Sequence, residues 1–375
     1  MLIAEPSDAA AEEAMLALLR GASTAELNDM ICGNEMHRLF AGVDDHWFGP
    51  HNRDALVQLL ARDRRAELSV MSAAGVIYGL QRGWATASDQ AAIRDMLLAT
   101  RGEELTRLKN QINDRVDHYD LEGLVFEHLD AGVRGEVLAH VAAEASGVDT
   151  GQAKVLIDID DTTISSIHER LYPRGTVYPG ALELFEGLDL GATPPPFSTD
   201  DLIFVTARPT DALGIIHDAT SRSLRKAGVA KLAIETGTVL GMFTKRGMAD
   251  GKLANIRQIR ALYPEYRLIF LGDSGQGDVL VADDLLAEHP DAVAFIHDVV
   301  DTPEAERDAH AARGVHFFDT YVGAASMARG LGLVSADRLE LIAEHARESF
   351  NRVRFHSDAA ADAARALLER DLAGV

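Results

Sequence analysis

Between Ser7 and about Gly147, apolar residues recur three and four positions apart, most clearly at 55–68, 91–100 and 121–129. That spacing lines one face of a helix. Capping residues stand where such helices should begin, at Ser23 with Glu26 three positions on, and at Ser88. Five to seven helices and no strand are predicted here. From Lys154 the period shortens. Continuous β-rich runs at 154–160, 202–207, 232–236, 268–273 and 292–299 alternate with amphipathic stretches at 181–188, 210–227, 252–263 and 278–288. Uninterrupted apolar strands that alternate with helices predict an α/β fold, a doubly wound parallel sheet covered on both faces. Ligands of such sheets bind in the crevice at the carboxyl ends of the strands.

Beyond Thr302 the pattern is helical again and ends in an Ala-rich stretch, 357–375. The expected organisation is therefore an all-helical region over 1–150, an α/β region over 151–300 and a helical extension over 301–375. The first would be a cap or a module for a protein partner. The proline-rich stretch 193–201 reads as a loop inside the α/β region.

Charge and composition narrow the function. The 375 residues carry 36 Lys+Arg against 59 Asp+Glu, a net charge of −23. An average surface so acidic repels polyanions, so nucleic acid is not an expected partner. The single cysteine, Cys32, can form neither an intrachain disulfide nor a thiolate zinc cluster, which suits a reducing compartment. No apolar run approaches the roughly 20 residues that span a bilayer, and the N-terminal stretch has acids where a secretion signal needs a basic start. The expected setting is cytoplasmic, without stable membrane insertion.

The chemistry concentrates in 155–163, where an apolar strand runs into Asp158, Asp160 and Asp161, followed by Thr162. Acids at a buried strand end need an opposing charge, commonly a metal ion. A calcium loop matches Asp158, Asp160, Thr162 and Glu169, but Thr163 stands where the sharp turn requires glycine, and the preceding segment is strand-like. Solvated acids in an ordinary turn are a second reading. The third is a magnesium-dependent phosphotransfer centre, with one Asp attacking phosphorus and another moving protons.

Later strand ends favour the third. Thr206 follows the run at 202–205, Lys252 opens the helix predicted over 252–263, and Asp273 and Asp278 flank a turn with Gly272, Gly275 and Gly277. The glycines permit close backbone approach. Histidines 37, 46 and 51 have no standard ligand spacing, and Arg62, Arg64 and Arg65 read as a solvated helix face.

In this combination the sequence resembles the haloacid dehalogenase (HAD) superfamily of phosphohydrolases. Its first motif matches Asp158, Asp160 and Thr162, its second Thr206, its third Lys252 with Lys245 in reserve, and its fourth Gly272, Asp273 and Asp278. Within the superfamily, the wording around Asp158, the segment 178–188, the turn 271–278 and His297-Asp298-Val299 is most similar to the catalytic domain of actin-patch-associated phosphatidate phosphatases. The second motif reads Thr206-Ala207-Arg208-Pro209 where that family is serine-rich, and His297 stands where it has arginine.

The resemblance covers 155–300. It implies Mg²⁺ held by Asp158, the backbone carbonyl of Asp160, Asp273 and Asp278. It also implies Asp158 as nucleophile, Asp160 as acid and base, and Thr206 and Lys252 as stabilisers of the phosphoryl oxygens. Thr162, Arg208 and Arg174 are candidates for contacting the substrate. The stretches between the first three motifs leave no room for a large cap, so an open site is expected. The segment 165–180, with His168, Arg170 and Arg174, would form its flap. The expected activity is hydrolysis of a phosphomonoester: phosphatidate or another large phosphorylated substrate, with a soluble metabolite or a phosphoprotein as the other candidates. The alternative is a non-catalytic scaffold that retains the fold.

Overall fold

In the computed structural model of the chain, residues 9–43, 51–82, 86–113, 120–192, 202–209, 233–237 and 244–375 are described. Two compact units divide it: Met1–Val148 with Ala261–Pro264, and Asp149–Arg260 with Glu265–Val375.

The first unit contains eight α-helices among the described residues: α1 (Ala9–Gly21), α2 (Thr24–Cys32), α3 (Met36–Gly42), α4 (Asn52–Gln58), α5 (Val70–Gln81), α6 (Ala87–Leu98), α7 (Gly102–Asn113) and α8 (Ala131–Ala145). Ser23 and Glu26 form the expected reciprocal cap of α2. The cap of α6 lies earlier than expected, at Thr86, because Asp89 answers it three residues on. Ser88 has only Ala91 at that distance and falls inside the first turn.

The helical stripe at 55–68 is divided. It begins in α4, widens into a π turn at Leu59–Asp63 and ends in a 3-10 turn at Arg65–Glu67. Of the three arginines expected on a solvated face only Arg62 is exposed, donating to Asp95; Arg64 is half-buried and donates to the Leu19 carbonyl at 2.7 Å, and Arg65 is buried against Thr100.

Among the described residues the second unit is built on six parallel strands, β1 (Ala153–Ile157), β2 (Ile203–Pro209), β3 (Ala233–Gly237), β4 (Arg267–Asp273), β5 (Val293–His297) and β6 (Val315–Phe318), in the order β3-β2-β1-β4-β5-β6. The first five correspond to the predicted runs. β6 falls where only helix was expected, because its four residues are too few to interrupt the helical periodicity around them. The helices are α9 (Ala181–Leu190), α10 (Lys245–Leu262), α11 (Asp278–Glu288), α12 (Glu304–Ala311), α13 (Tyr321–Gly330), α14 (Ala336–Arg352) and α15 (Asp358–Leu372). α10 begins at Lys245 rather than at Lys252, capped by the Thr244 hydroxyl on the Gly247 amide. The helix expected over 210–227 lies outside the described residues.

Period-two alternation explains the two-faced core. Val155, Ile157, Phe204, Ile269, Leu271, Val293 and Phe295 face α9, α13 and α14 in one apolar cluster. Leu156, Leu268, Phe270, Ala294 and Ile296 alternate with them and are equally buried, on a sheet whose β4 and β5 are packed by α11. Phe350, Ala364 and Leu368 join α15 to α14 in a smaller cluster.

The chain winds outward from β1 through β2 to β3, then returns to the other side of β1 for β4, β5 and β6. The reversal between β1 and β4 is the topological switch point, where the loops diverge and leave a crevice. The register pairs Ile157 with Leu271, so the first residue after β1 and the last residues of β4 open into it.

Candidate active site

The Asp158 amide donates to the Leu271 carbonyl at 2.9 Å, one step beyond the last strand pair, so the sheet itself fixes its backbone. The chain then turns through Asp161, whose φ of +59° is unusual for a residue with a side chain. Asp273 ends β4 and Asp278 begins α11. The Asp278 carboxylate accepts from the Asp273 amide at 3.2 Å, and the Asp273 carboxylate accepts from the Gly275 and Gln276 amides at 2.7 and 3.1 Å. From α10, Lys252 Nζ reaches Asp158 at 2.6 Å and Asp278 at 2.5 Å.

The glycines serve as expected. A Cβ on Gly272 would lie 2.5 Å from the Asp278 Cβ, one on Gly277 would strike the Lys245 carbonyl, and one on Gly275 would lie 2.6 Å from the His168 ring.

All four charged groups are buried, with exposures of 3% for Asp158, 0% for Asp273, 0% for Asp278 and 3% for Lys252. Carboxylate oxygens of the three acids lie within 4.8 Å of one another. Burial pushes Asp158 up to about 8; Lys252 opposes the rise, and Asp278 and Asp160 reinforce it. Asp273 is raised for the same reason, with Asp278 and Asp158 adding to it. Burial by itself would lower the Lys252 ammonium, but Asp158 and Asp278 outweigh it and hold it above its usual range.

One ammonium thus faces three carboxylates, and Asp158 Oδ2 is buried without a hydrogen-bond partner among the described residues. A close group of hard oxygen donors with excess negative charge, one of them orphaned, fits a small divalent cation such as Mg²⁺.

A stability measurement checks this electrostatic reading. Folding lifts the Asp158 carboxyl from its ordinary 3.8 to about 8, so folding favours its protonated form. The resulting penalty is absent below pH 3.8, grows as pH rises and is complete above about 8. In chelator, Asp158→Asn should therefore raise Tm relative to wild type, with a gain that widens with pH until it levels off. Each ~1 kcal/mol relieved is worth roughly 2–4 °C. A difference that does not vary with pH would refute the shift.

The remaining expected residues divide. Asp160 is half-buried beside the cluster, and its side chain is not one of the three grouped carboxylates. Thr162 is fully buried, its hydroxyl unpartnered among the described residues, while its carbonyl accepts from the Tyr321 hydroxyl. Lys245 is exposed at the start of α10, and Lys252 is the lysine that meets the acids. Arg174 is exposed on the flap. Thr206 and Arg208 have backbone positions in β2, but their side chains lie outside the described residues, as does His46.

Asp161, present in the acid run of the sequence but without an expected role there, has one in the structure. Its carboxylate is fully buried and accepts from the Ser166, Ile167 and His168 amides at 2.5, 3.0 and 2.7 Å, while its carbonyl meets His297 Nδ1 at 2.9 Å. Asp161, His168 and Asp273 also form a compact trio, but these amide contacts make Asp161 the anchor of the flap. Its position in the acid run was visible; that its acceptors are turned to local amides was not. His297, in the place of the expected arginine, stacks on Phe318 with ring centroids 5.1 Å apart.

Residues 153–297 match the family model described as phosphatidate phosphatase APP1, catalytic domain, a family of HAD-like phosphatases. No curated protein and no solved structure matches the chain.

Proposed function

We propose that the second unit is a Mg²⁺-dependent phosphomonoester hydrolase that forms an aspartyl-phosphate on Asp158, with phosphatidate as its substrate. One observation carries the reading: three buried carboxylates and one buried lysine converge at the switch point of a parallel sheet, within the segment similar to the phosphatidate phosphatase model. Asp158, Asp273 and Asp278, with the Asp160 carbonyl, would hold Mg²⁺. When bound, the ion neutralises phosphate oxygens that would otherwise repel an anionic nucleophile.

This chain's residues then divide two displacements. An Asp158 oxygen forms a bond to phosphorus as the ester bond to the alcohol breaks, and Asp160 gives its proton to the departing alkoxide. In the second displacement Asp160 takes a proton from water, whose oxygen attacks phosphorus. The P–O bond to Asp158 breaks, releasing phosphate and restoring the carboxylate. Lys252 keeps Asp158 oriented and, with Thr206 and Thr162, balances charge on the phosphoryl oxygens. Arg174 and Arg208 attract the anionic headgroup. The all-helical region 1–150 acts as cap or partner module, residues 301–375 belong to the catalytic unit itself through β6 and the packing of α13 and α14 on the sheet, and the setting is cytoplasmic.

Leaving-group dependence tests the division of labour. Asp160→Asn should slow phosphatidate hydrolysis by roughly 10²–10⁴-fold, the usual worth of general acid and base help. p-Nitrophenyl phosphate, whose leaving group needs no proton, should lose far less in formation of the phospho-enzyme. Equal losses in the burst phase for both substrates would remove Asp160 from the proton transfer.

A further inference from the structure

We infer that the flap 165–180 is a bilayer-docking surface, in which Ile167 enters the apolar layer while Arg170 and Arg174 bind anionic headgroups. The inference rests on the phosphatidate reading of the adjacent site. A long-chain phosphatidate presents its phosphate at the water–lipid interface, so the mouth of the crevice must meet the bilayer. Among the described residues no helix is long and apolar enough to cross a membrane, and a net charge of −23 repels an anionic surface. Contact therefore requires a local exception in both polarity and charge.

The flap is such an exception. Ile167 is 65% exposed, the highest value among the exposed large apolar residues described. Isolated exposed apolar residues are ordinary; the setting of this one is not. Its amide and those of Ser166 and His168 are held by the buried Asp161 carboxylate, so the apex is fixed rather than loose. Gly275, whose amide donates to the Asp273 carboxylate, lacks the Cβ that would collide with His168, which lets the flap lie directly on the motif turn.

The flap's one acid is turned inward. Glu169 accepts from the Leu171 and Tyr172 amides at 2.5 and 3.2 Å and from the Tyr178 hydroxyl at 2.9 Å. Arg170 and Arg174 are exposed and form no ion pair among the described residues. The outward charge of the flap is consequently positive on an acidic protein. An apolar tip beside arginines matches an anionic lipid surface.

Sedimentation of the full chain with phosphatidylcholine–phosphatidate vesicles in chelator reads docking without turnover. Wild type should bind, more weakly as salt screens the arginines. Ile167→Ser should bind roughly 10- to 100-fold more weakly, the worth of one buried isoleucine, and Ile167→Trp should bind with a blue-shifted emission. With Mg²⁺, Ile167→Ser should lose hydrolysis of vesicular phosphatidate yet keep that of dihexanoyl phosphatidate dissolved as monomer. Unchanged vesicle affinity in Ile167→Ser, equal losses on both substrates, or wild type that binds no vesicle, as expected of a flap that meets a protein, would overturn the docking surface. Failure of wild type to hydrolyse dihexanoyl phosphatidate would instead overturn the substrate reading, while sedimentation still decides the docking.

Discussion

Asp158→Asn should abolish phosphate release, with a loss of at least roughly 10⁴-fold, the scale on which removing an enzyme's nucleophile is felt. The substitution preserves shape and a hydrogen-bond acceptor for Lys252 but removes the oxygen charge that attacks phosphorus. Its folding should survive, because Lys252 keeps Asp278 at 2.5 Å and one of three crowded carboxylates becomes neutral. Phosphate-release assays and thermal melts on the same preparation separate these effects. Retained turnover would remove Asp158 as the nucleophile, and a collapsed melt would make it a structural residue.

The second large effect belongs to Lys252. Lys252→Met should destabilise the second unit by about 3–5 kcal/mol in chelator, the usual consequence of taking one partner from a buried ion pair. The cause is specific: both carboxylates that the ammonium touches are almost wholly buried, with side-chain exposures of 4% for Asp158 and 0% for Asp278, and neither can regain water. Mg²⁺ should narrow the deficit, since a bound cation stabilises the fold in proportion to its concentration over its Kd. Denaturant titrations with and without Mg²⁺ check both parts. A destabilisation equal in the two conditions would mean that the lysine serves packing alone.

Much of this site was readable because its residues sit at strand ends, and buried parallel strands are the strongest local signal in the chain. Asp158 follows β1 and Asp273 ends β4 because continuous apolar runs stop there, and the glycines at 272, 275 and 277 leave no room for a Cβ. Lys252 was placed in the right helix but at its first turn. Gly247 and Gly251 weaken the helical pattern before it, and the structure starts α10 at Lys245.

Other features depend on contacts distant in sequence. Tyr321 reaches the Thr162 carbonyl, and Arg62 finds Asp95. β6 was missed because four residues carry too little pattern, and the division at 55–68 because a π turn shifts helical phase without changing composition. Asp161 shows the limit most clearly. Three acids within four residues suggest ligands, yet backbone geometry turns one of them toward its own loop, and only the folded structure distinguishes a ligand from an anchor.

The most direct measurement is to quench the chain during turnover of phosphatidate with Mg²⁺, reduce the acyl-phosphate with borohydride and map the modified residue by mass spectrometry. Conversion of Asp158 to homoserine in wild type, and its absence without substrate, is the predicted result. Modification at another residue, or rapid phosphate release with no trapped carboxyl under any quench time, would contradict an attacking Asp158.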